Sequence, residues 1–402
     1  MLTIFSSKHL SEELRDFCAL IGVGEPDSAV IESILARDPE LERTAQMGES
    51  NWLVPLVYHQ LEGRVDGALS GMETLRAAYE REESQYLARC EVITEVANAM
   101  SAAGISLAAL KGTGLAHSCY PDPVTRPADD IDVLVSRDQF AAAIDVLNEL
   151  GYEPDGHDPF ERPAQYHLEY GGQYEVAAER LGCKVVLELH WRPISGETIF
   201  GEREPSAAEF IERSLPLQVA NSELRVLCPE DNMLQNALHT SKHTYVRKPG
   251  LRMFVDIDRM VDAAPDFDWD RFTAAVRAHR VSVPVYLTLQ IAADLFGTSI
   301  PSEVLATLGA PFTKSPLRRR FMTYELHKRG VFDARVESFP GAERLLFHLL
   351  LTDSNRDLAQ LAARRLFPSR EQMMVRYQVK DEKTLPLHYL RHLGRVVFRQ
   401  KA

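Results

Sequence analysis

Three acidic residues in the middle of the chain have the types and spacing of a metal site. Asp130 and Asp132 begin the apolar run 131–135, which predicts a buried strand. Residues two apart on a strand point the same way, and two carboxylates so placed are costly to bury unless a cation lies between them. A second predicted strand, 184–191, carries Glu188, whose carboxylate can hold a metal ion or act as a general base. We expect Mg²⁺ or Mn²⁺ at these acids.

The segment just before these acids has the character of a phosphate-binding turn. A short apolar run predicts a strand that leads directly into Lys111-Gly112-Thr113-Gly114, and a short helix is expected after it. Glycine lets the backbone approach a ligand closely, and a helix N-terminus presents free N–H groups to phosphate oxygens. Lys111 adds a positive charge, Thr113 a hydroxyl, and Arg126 in the following loop a second cation. Turn, paired acids and later glutamate together predict a site for a nucleoside triphosphate (NTP).

The tripeptide Asp-Ile-Asp occurs a second time, at Asp256 and Asp258. The residues around it have the apolar spacing of a helix, on which positions two apart face about 200° away from each other. We therefore interpret this second tripeptide as structural. Its acids are expected to pair with Arg252, with Arg259 or with the preceding helix.

Four further residues are candidates for lining a pocket. His239, Lys242 and His243 lie on one predicted helix, and the two histidines share a face because they are four apart. Their segment lacks the glutamate of the zinc-protease motif, so a pocket wall is expected rather than a zinc site, with a packed histidine pair as the alternative. His190 should point the same way as Glu188, either to orient a substrate or a carboxylate or as a hydrogen-bonded interior histidine.

The elements around these residues predict a fold of α/β plus α class, in which a small mixed sheet is flanked by helical regions. Strands alternate with helices over residues 105–228, and the flanking regions 1–104 and 229–402 have helical periodicity. The longest helix is expected over residues 72–103, ended by Gly104.

Two local predictions concern the central unit. Residues 136–152 predict a helix that Ser136 caps and Gly151 ends. A strand is expected over residues 166–170.

Composition limits the classes of partner. The 402 residues carry a formal net charge of −13, which disfavours nucleic acid as a partner because phosphates attract positive surfaces. Five cysteines without a CxxC pair favour a reducing compartment, and the sequence has neither a signal-peptide pattern nor a long apolar segment. We expect a cytoplasmic protein without membrane contact. Residues 364–402 hold ten Lys and Arg against three acids, which favours docking on the acidic body over a grip on a polyanion.

One stretch of the chain resembles a known signature. Residues 107–135, LAALKGTGLAHSCYPDPVTRPADDIDVLV, resemble that of the polymerase-beta-type nucleotidyltransferase superfamily. More narrowly, the Leu-Lys-Gly turn, the Tyr-Pro and Arg-Pro loop and the Asp-Ile-Asp strand are similar to a bacterial family of uncharacterised nucleotidyltransferases. VVLELHW resembles the strand of the third acid, and LHTSKHTYVRKPGLRMFVDIDRMV resembles a helical segment with paired histidines. The resemblance covers about residues 75–265.

The resemblance implies roles for particular residues. Asp130 and Asp132 match the metal-binding pair, Glu188 the third acid, and Gly112 and Thr113 the turn that holds the triphosphate. The sequence departs from the superfamily in having Lys-Gly-Thr where Gly-Gly/Ser or Gly-Ser is usual, and in a longer loop before the acids. The narrower family shares this departure.

The implied activity is metal-dependent transfer of a nucleoside monophosphate from an NTP to a hydroxyl or phosphate. The acceptor would be a small molecule, a sugar or a peptide, since members often serve modified-peptide or surface-polysaccharide biosynthesis. Two alternatives stay open. The same site could transfer a sugar or phosphoryl group from a nucleotide donor such as a nucleotide-sugar, or the protein could be a non-catalytic or toxin-like nucleotide- or RNA-binding protein.

Overall fold

Helices and one mixed sheet make up the described part of the molecule. The structure, a computed structural model, describes residues 3–5, 10–155, 164–194, 199, 203–243, 245, 250–329 and 341–398. The expected α/β plus α class is confirmed, with the sheet placed between two helical stretches of the chain.

The stretch before the sheet is helical. It contains α1 (Glu12–Ile21), α2 (Ser28–Arg37), α3 (Glu42–Asn51), α4 (Val54–Leu61) and α5 (Ser70–Ala102). The 33 residues of α5 make it the longest helix in the described ranges, as predicted. Gly104 ends it with a φ of +72°, a value that glycine adopts without strain.

The sheet has seven strands in the described residues. They are β1 (Ala108–Ala109), β2 (Asp130–Leu134), β3 (Glu153–Pro154), β4 (Gln173–Arg180), β5 (Cys183–His190), β6 (Leu215–Val219) and β7 (Ser222–Val226). Their order is β3-β4-β5-β2-β1-β7-β6. The pairs β2–β5 and β1–β7 are parallel and the other pairs are antiparallel, so the sheet is mixed.

The helices between the strands correct two local predictions. They are α6 (Lys111–Cys119), α7 (Phe140–Glu149), α8 (Ala164–Tyr166) and α9 (Ala207–Arg213). The Lys-Gly-Thr-Gly segment forms the first turn of α6 rather than a turn ahead of it. Ser136 does not cap α7, because residues 137–139 form a turn first and the Ser136 hydroxyl lies 3.3 Å from the side-chain oxygen of Gln139.

The prediction of a strand over residues 166–170 is wrong. The chain there is helical, with α8 followed by a π-helical turn, His167–Gly171, and the strand β4 begins only at Gln173. Short apolar runs fit a helix and a strand equally well, so packing decides between them. Tyr166 is buried, and its hydroxyl accepts a hydrogen bond of 3.0 Å from Gln372 of the C-terminal stretch.

The stretch after the sheet is again helical. It contains α10 (Pro229–Lys242), α11 (Gly250–Asp262), α12 (Trp269–His279), α13 (Ser282–Phe296), α14 (Ser302–Thr313), α15 (Pro316–Arg329), α16 (Gly341–Leu350), α17 (Asn355–Leu366), α18 (Arg370–Tyr377) and α19 (Leu385–Phe398). No described helix has the length and apolar character needed to cross a membrane. In the basic terminal segment, the Arg376 guanidinium lies 5.4 Å from the centre of the Tyr166 ring. Arg399 and Lys401 of that segment lie outside the described residues.

Two apolar clusters lie on opposite faces of the sheet. One joins α5 and α7 to the sheet and includes Ile131 and Val133, both fully buried. The other joins the N-terminal helices to α10, α11 and α13 and includes Leu134. The alternation of side chains along β2 therefore turns Asp130 and Asp132 toward α10 and α11. On this face of the sheet the two acids can contact side chains of α10 and α11.

Candidate active site

Strand pairing brings the three predicted acids together. In the parallel pair of β2 and β5, Asp132 lies opposite Glu188 and Leu134 lies opposite His190. Both strands are rich in β-branched and leucine side chains that fill the apolar clusters, which fixes the register. The carboxylates are consequently presented by two adjacent strands of the sheet, which is a rigid support.

Asp132, Glu188 and His190 form a compact ligand cluster. One ligand atom from each lies within 4.8 Å of the others. The Nε2 atom of His190 is 2.7 Å from Oδ1 of Asp132 and 3.2 Å from Oε2 of Glu188. The side chains of Asp132 and His190 are 2% exposed and that of Glu188 is 18% exposed. Two carboxylates and an imidazole so close together could bind a divalent cation; the carboxylates suit Mg²⁺ or Mn²⁺, whereas the imidazole is not a usual Mg²⁺ ligand.

Lys111 enters the same cluster from the start of α6. Its ammonium donates a hydrogen bond to Asp132 and lies 3.8 Å from Glu188. Its φ is +42°, in the left-handed region that residues with a Cβ rarely adopt. Backbone strain of this kind persists where the surroundings hold it and concentrates at functional sites. The ammonium therefore neutralises part of the acidic cluster at some conformational cost.

The charges of the cluster act on one another strongly. Burial alone would raise the pKa of Asp132, but the Lys111 ammonium and the hydrogen bond from His190 outweigh burial and hold that pKa well below its usual range. Burial would lower the pKa of Lys111, but Asp132, Glu188 and Asp130 raise it above its ordinary value. For Asp130, burial and then the neighbouring Asp132 and Glu188 raise the pKa to about 7. Crowding of like charges at Asp130 is what a bound cation would relieve.

A cavity of about 300 Å³ extends from this cluster toward the helices. Nine of the predicted site residues line it: Lys111, Gly112, Arg126, Asp130, Asp132, Glu188, His239, Lys242 and His243. His190 supports the acids from behind and does not itself line the cavity. Thr113 faces a much smaller cavity of about 20 Å³, formed with Tyr86 and Arg89.

Gly112 allows the backbone of α6 to approach the loop before β2. A Cβ at this position would lie 2.8 Å from the Cβ of Ala128 and 3.3 Å from a guanidinium nitrogen of Arg126. Only glycine fits this approach without movement of the loop. The glycine of the Lys-Gly turn thus has a packing reason in addition to its place in the cavity wall.

Arg126 makes a buried ion pair with the second Asp-Ile-Asp tripeptide. Its Nε and Nη2 donate to the two carboxylate oxygens of Asp256, at 2.8 and 2.7 Å, and its Nη1 donates to the carbonyl of Pro127. Tyr120 donates a further hydrogen bond of 2.7 Å to Asp256. The expected pairing of Asp256 with the arginines of its own helix or with α10 is therefore wrong, because the partner comes from 130 residues earlier. That Arg126 contacts phosphate stays a prediction.

His239 of α10 and His243, the residue that follows this helix, lie against each other at the cavity wall. The ring centres of His239 and His243 are 4.7 Å apart, and their planes are inclined by 60°. Burial, followed by Lys111, His243 and Lys242, lowers the pKa of His239 well below its ordinary value. The side chain is therefore held neutral, which suits a hydrogen-bonding role better than an anion-attracting one.

Sequence reasoning missed several of the residues that line the cavity, among them Trp52 and Arg252. Trp52, which follows α3, lines the cavity from the N-terminal stretch, and Arg252 of α11 lies with its guanidinium 4.8 Å from the Trp52 ring centre. Arg252 could have been found, since it is one helical turn before Asp256 and so shares its face. Trp52 carries no comparable signal in the sequence.

Comparison of the sequence with known families identifies the class of protein. Residues 38–297 match the sequence model of a family described as uncharacterised nucleotidyltransferase. The chain belongs to this nucleotidyltransferase family. Membership supports nucleotidyl transfer as the chemistry and an NTP as the donor. The matched residues contain the whole sheet, α10 and α11, and they also include Trp52. Among curated proteins, none matches the chain.

Proposed function

We propose that this nucleotidyltransferase moves a nucleoside monophosphate from an NTP to a hydroxyl or phosphate acceptor with Mg²⁺ or Mn²⁺. The observation that carries the proposal is the cluster of Asp132, Glu188 and His190 at one end of a cavity whose other walls hold cations. The Asp130 carboxylate lines the same cavity. Family membership supports the reaction class, and the geometry supports the roles proposed below for individual residues.

The acids are proposed to act as metal ligands and base. Asp130, Asp132 and Glu188 would hold the cation, which when bound neutralises the triphosphate and favours departure of pyrophosphate. Glu188 is the more exposed of the two carboxylates in the ligand cluster, and we propose that it accepts the proton of the acceptor oxygen. His190 is a positioning residue, since its hydrogen bonds orient Asp132 and Glu188.

The positions of the other predicted site residues relative to the cavity support different roles for them. Lys111 and Gly112 line the cavity at the start of α6 and are proposed to contact the triphosphate. Thr113 and Arg126 were predicted to do the same, but the contacts described above lend them no support. His239 and Lys242 of α10 and His243, the residue after it, also line the cavity and are proposed to contact the acceptor.

The wider assignment rests on the sequence resemblance. We propose membership of the polymerase-beta-type superfamily, a bacterial source, a cytoplasmic location and an acceptor from modified-peptide or surface-polysaccharide biosynthesis. We also propose the division into residues 1–104, 105–228 and 229–402. The position of the sheet between two helical stretches supports that division.

Thermal stability with each candidate donor tests the proposal. ATP, GTP, CTP, UTP and UDP-sugars are added with and without Mg²⁺ or Mn²⁺ to the wild type and to Asp132→Asn. A ligand at 100 times its Kd stabilises a fold by about 2.7 kcal/mol, which moves the melting temperature measurably. We expect a metal-dependent shift with at least one NTP that is lost in the variant.

Product analysis follows with the NTP that binds. We expect release of pyrophosphate and a product heavier by one nucleoside monophosphate, detected by mass spectrometry. A shift with UDP-sugars alone, or a product heavier by a hexose or by one phosphate, would favour the alternative transfer reactions. Absence of any donor-dependent shift, with the protein folded, would contradict the proposal.

A further inference from the structure

Arg252 is a buried cation in the cavity wall without a carboxylate partner in the described residues. Its side chain is buried, and its Nη1 donates a hydrogen bond of 2.7 Å to the carbonyl of Pro127. Its Nε atom has no hydrogen-bond partner among the described residues. A buried guanidinium in this state costs free energy that a bound anion would recover.

The electrostatic surroundings of Arg252 agree with this geometry. Burial and then the charge of Arg126 lower the pKa of Arg252 to about 10, against the opposing effects of Asp256 and Asp129. Two other cations of the cavity are already matched, since Lys111 pairs with Asp132 and Arg126 pairs with Asp256. The charge of Arg252 is thus less well compensated than the charges of Lys111 and Arg126, which have carboxylate partners.

We propose that Arg252, held in place by Trp52, binds the polyphosphate of the nucleotide substrate. The inference rests on the proposed function and adds to it a phosphate contact from α11. The guanidinium offers a planar fork that matches phosphate oxygens, and its cation–π contact with the Trp52 ring restricts its position. In this assignment the polyphosphate contacts both the first turn of α6 and Arg252, which lies far from that turn in the sequence.

The position of Arg252 relative to the acids suits a chain of phosphates. Pro127, whose carbonyl Arg252 contacts, is three residues before Asp130, so the backbone at the two positions is at most about 10 Å apart. Both Arg252 and Asp130 line the one cavity. A polyphosphate bound in this cavity would therefore have the acids and the guanidinium in the same wall.

Arg259 provides a matched control on the same helix. It is buried to a similar extent, its guanidinium lies 4.9 Å from the Tyr120 ring centre, and it donates to the carbonyl of Gly22. Its Nε atom also has no hydrogen-bond partner in the described ranges. Arg259 differs in that it does not line the cavity of the acids. A purely structural role for Arg252 would make the two arginines behave alike.

The test uses inorganic tripolyphosphate as the probe, so that the identity of the base does not matter. Full-length wild type, Arg252→Gln, Arg252→Lys and Arg259→Gln are compared with Mg²⁺ present, by calorimetry and by tryptophan fluorescence. We expect Arg252→Gln to weaken binding by about 10- to 100-fold, because a charge-assisted hydrogen-bond pair is lost. Arg252→Lys should lie between, and Arg259→Gln should bind like the wild type. Trp52→Phe should remove most of the ligand-dependent fluorescence change.

The outcomes separate this inference from the proposed function. If Arg252→Gln and Arg252→Lys are folded and bind tripolyphosphate within twofold of the wild type, the inference is overturned while NTP binding by the wild type still stands. If Arg259→Gln weakens binding as much as Arg252→Gln, the effect is structural and the inference also fails. If the wild type binds neither tripolyphosphate nor any NTP, both proposals fail. Should Arg252→Gln not fold, the comparison of Arg252→Lys with the wild type decides the matter.

Discussion

The same tripeptide, Asp-Ile-Asp, has two different surroundings in this protein, one on a strand and one on a helix. On β2, Asp130 and Asp132 both line the cavity, and Ile131 between them is fully buried in the opposite cluster. On α11, Asp256 lines the cavity and pairs with Arg126, while Asp258 points to another side and accepts a hydrogen bond of 2.7 Å from Thr298. The strand places two carboxylates together, and the helix places them apart.

The difference teaches that the spacing of residues acquires chemical meaning only through secondary structure. A period of two aligns the acids on a strand and separates them by about 200° on a helix. Like charges held together store repulsion that a cation can relieve, which suits a binding site. A single acid that faces a single arginine is already compensated, which suits a structural pair.

The largest effect is expected from breaking the structural pair. Asp256→Asn leaves the Arg126 charge buried and uncompensated, which should lower the free energy of unfolding by about 3–5 kcal/mol. Urea denaturation followed by circular dichroism measures this loss. A change below about 1 kcal/mol would show that the two tripeptides do not differ as described.

The strand acids should show the opposite pattern. Asp130→Asn should lower the rate of nucleotidyl transfer by about 10²–10³-fold, since metal stabilisation of transition-state charge is worth several kcal/mol. The metal-free variant should be at least as stable as the wild type, because one of three crowded carboxylates has lost its charge. Pyrophosphate release and urea denaturation measure the two quantities. A strongly destabilised variant would assign Asp130 a structural role instead.

The smallest effect is expected at the fourth acid. Asp258→Asn keeps an acceptor oxygen for Thr298, so the free energy of unfolding should fall by about 1 kcal/mol or less. The transfer rate should not change, because Asp258 lines a separate cavity with Asp294 and Gly297. This variant is the control for Asp256→Asn, and a transfer rate reduced tenfold or more would contradict the comparison.

The local parts of the site could be predicted from the sequence. The apolar runs around Asp132 and Glu188 predicted two buried strands, and the structure pairs these two residues directly. Gly104 ends its helix as expected, because left-handed backbone favours glycine. These features depend on residues close together in the chain, where steric and periodic rules act.

The predictions that were wrong, and the residues that were missed, share a cause in tertiary packing. The residues 166–170 became helical while Tyr166 packs against the C-terminal helices, and Asp256 found its partner 130 residues away. The contact between Trp52 and Arg252 joins the two helical stretches that flank the sheet. Nothing in the local sequence of either residue specifies the other.

The sequence by itself determined the sheet unit, the carboxylates and the different fates of the two tripeptides. It could do so because backbone geometry repeats over two residues in a strand and about 3.6 in a helix. Only the tertiary structure decided that Arg126 pairs with Asp256, that Lys111 enters the acidic cluster, and that Arg252 faces the cavity without a described carboxylate partner. Long-range contacts of this kind arise because burial of a charge costs free energy unless a residue or a ligand brought close by the fold compensates it.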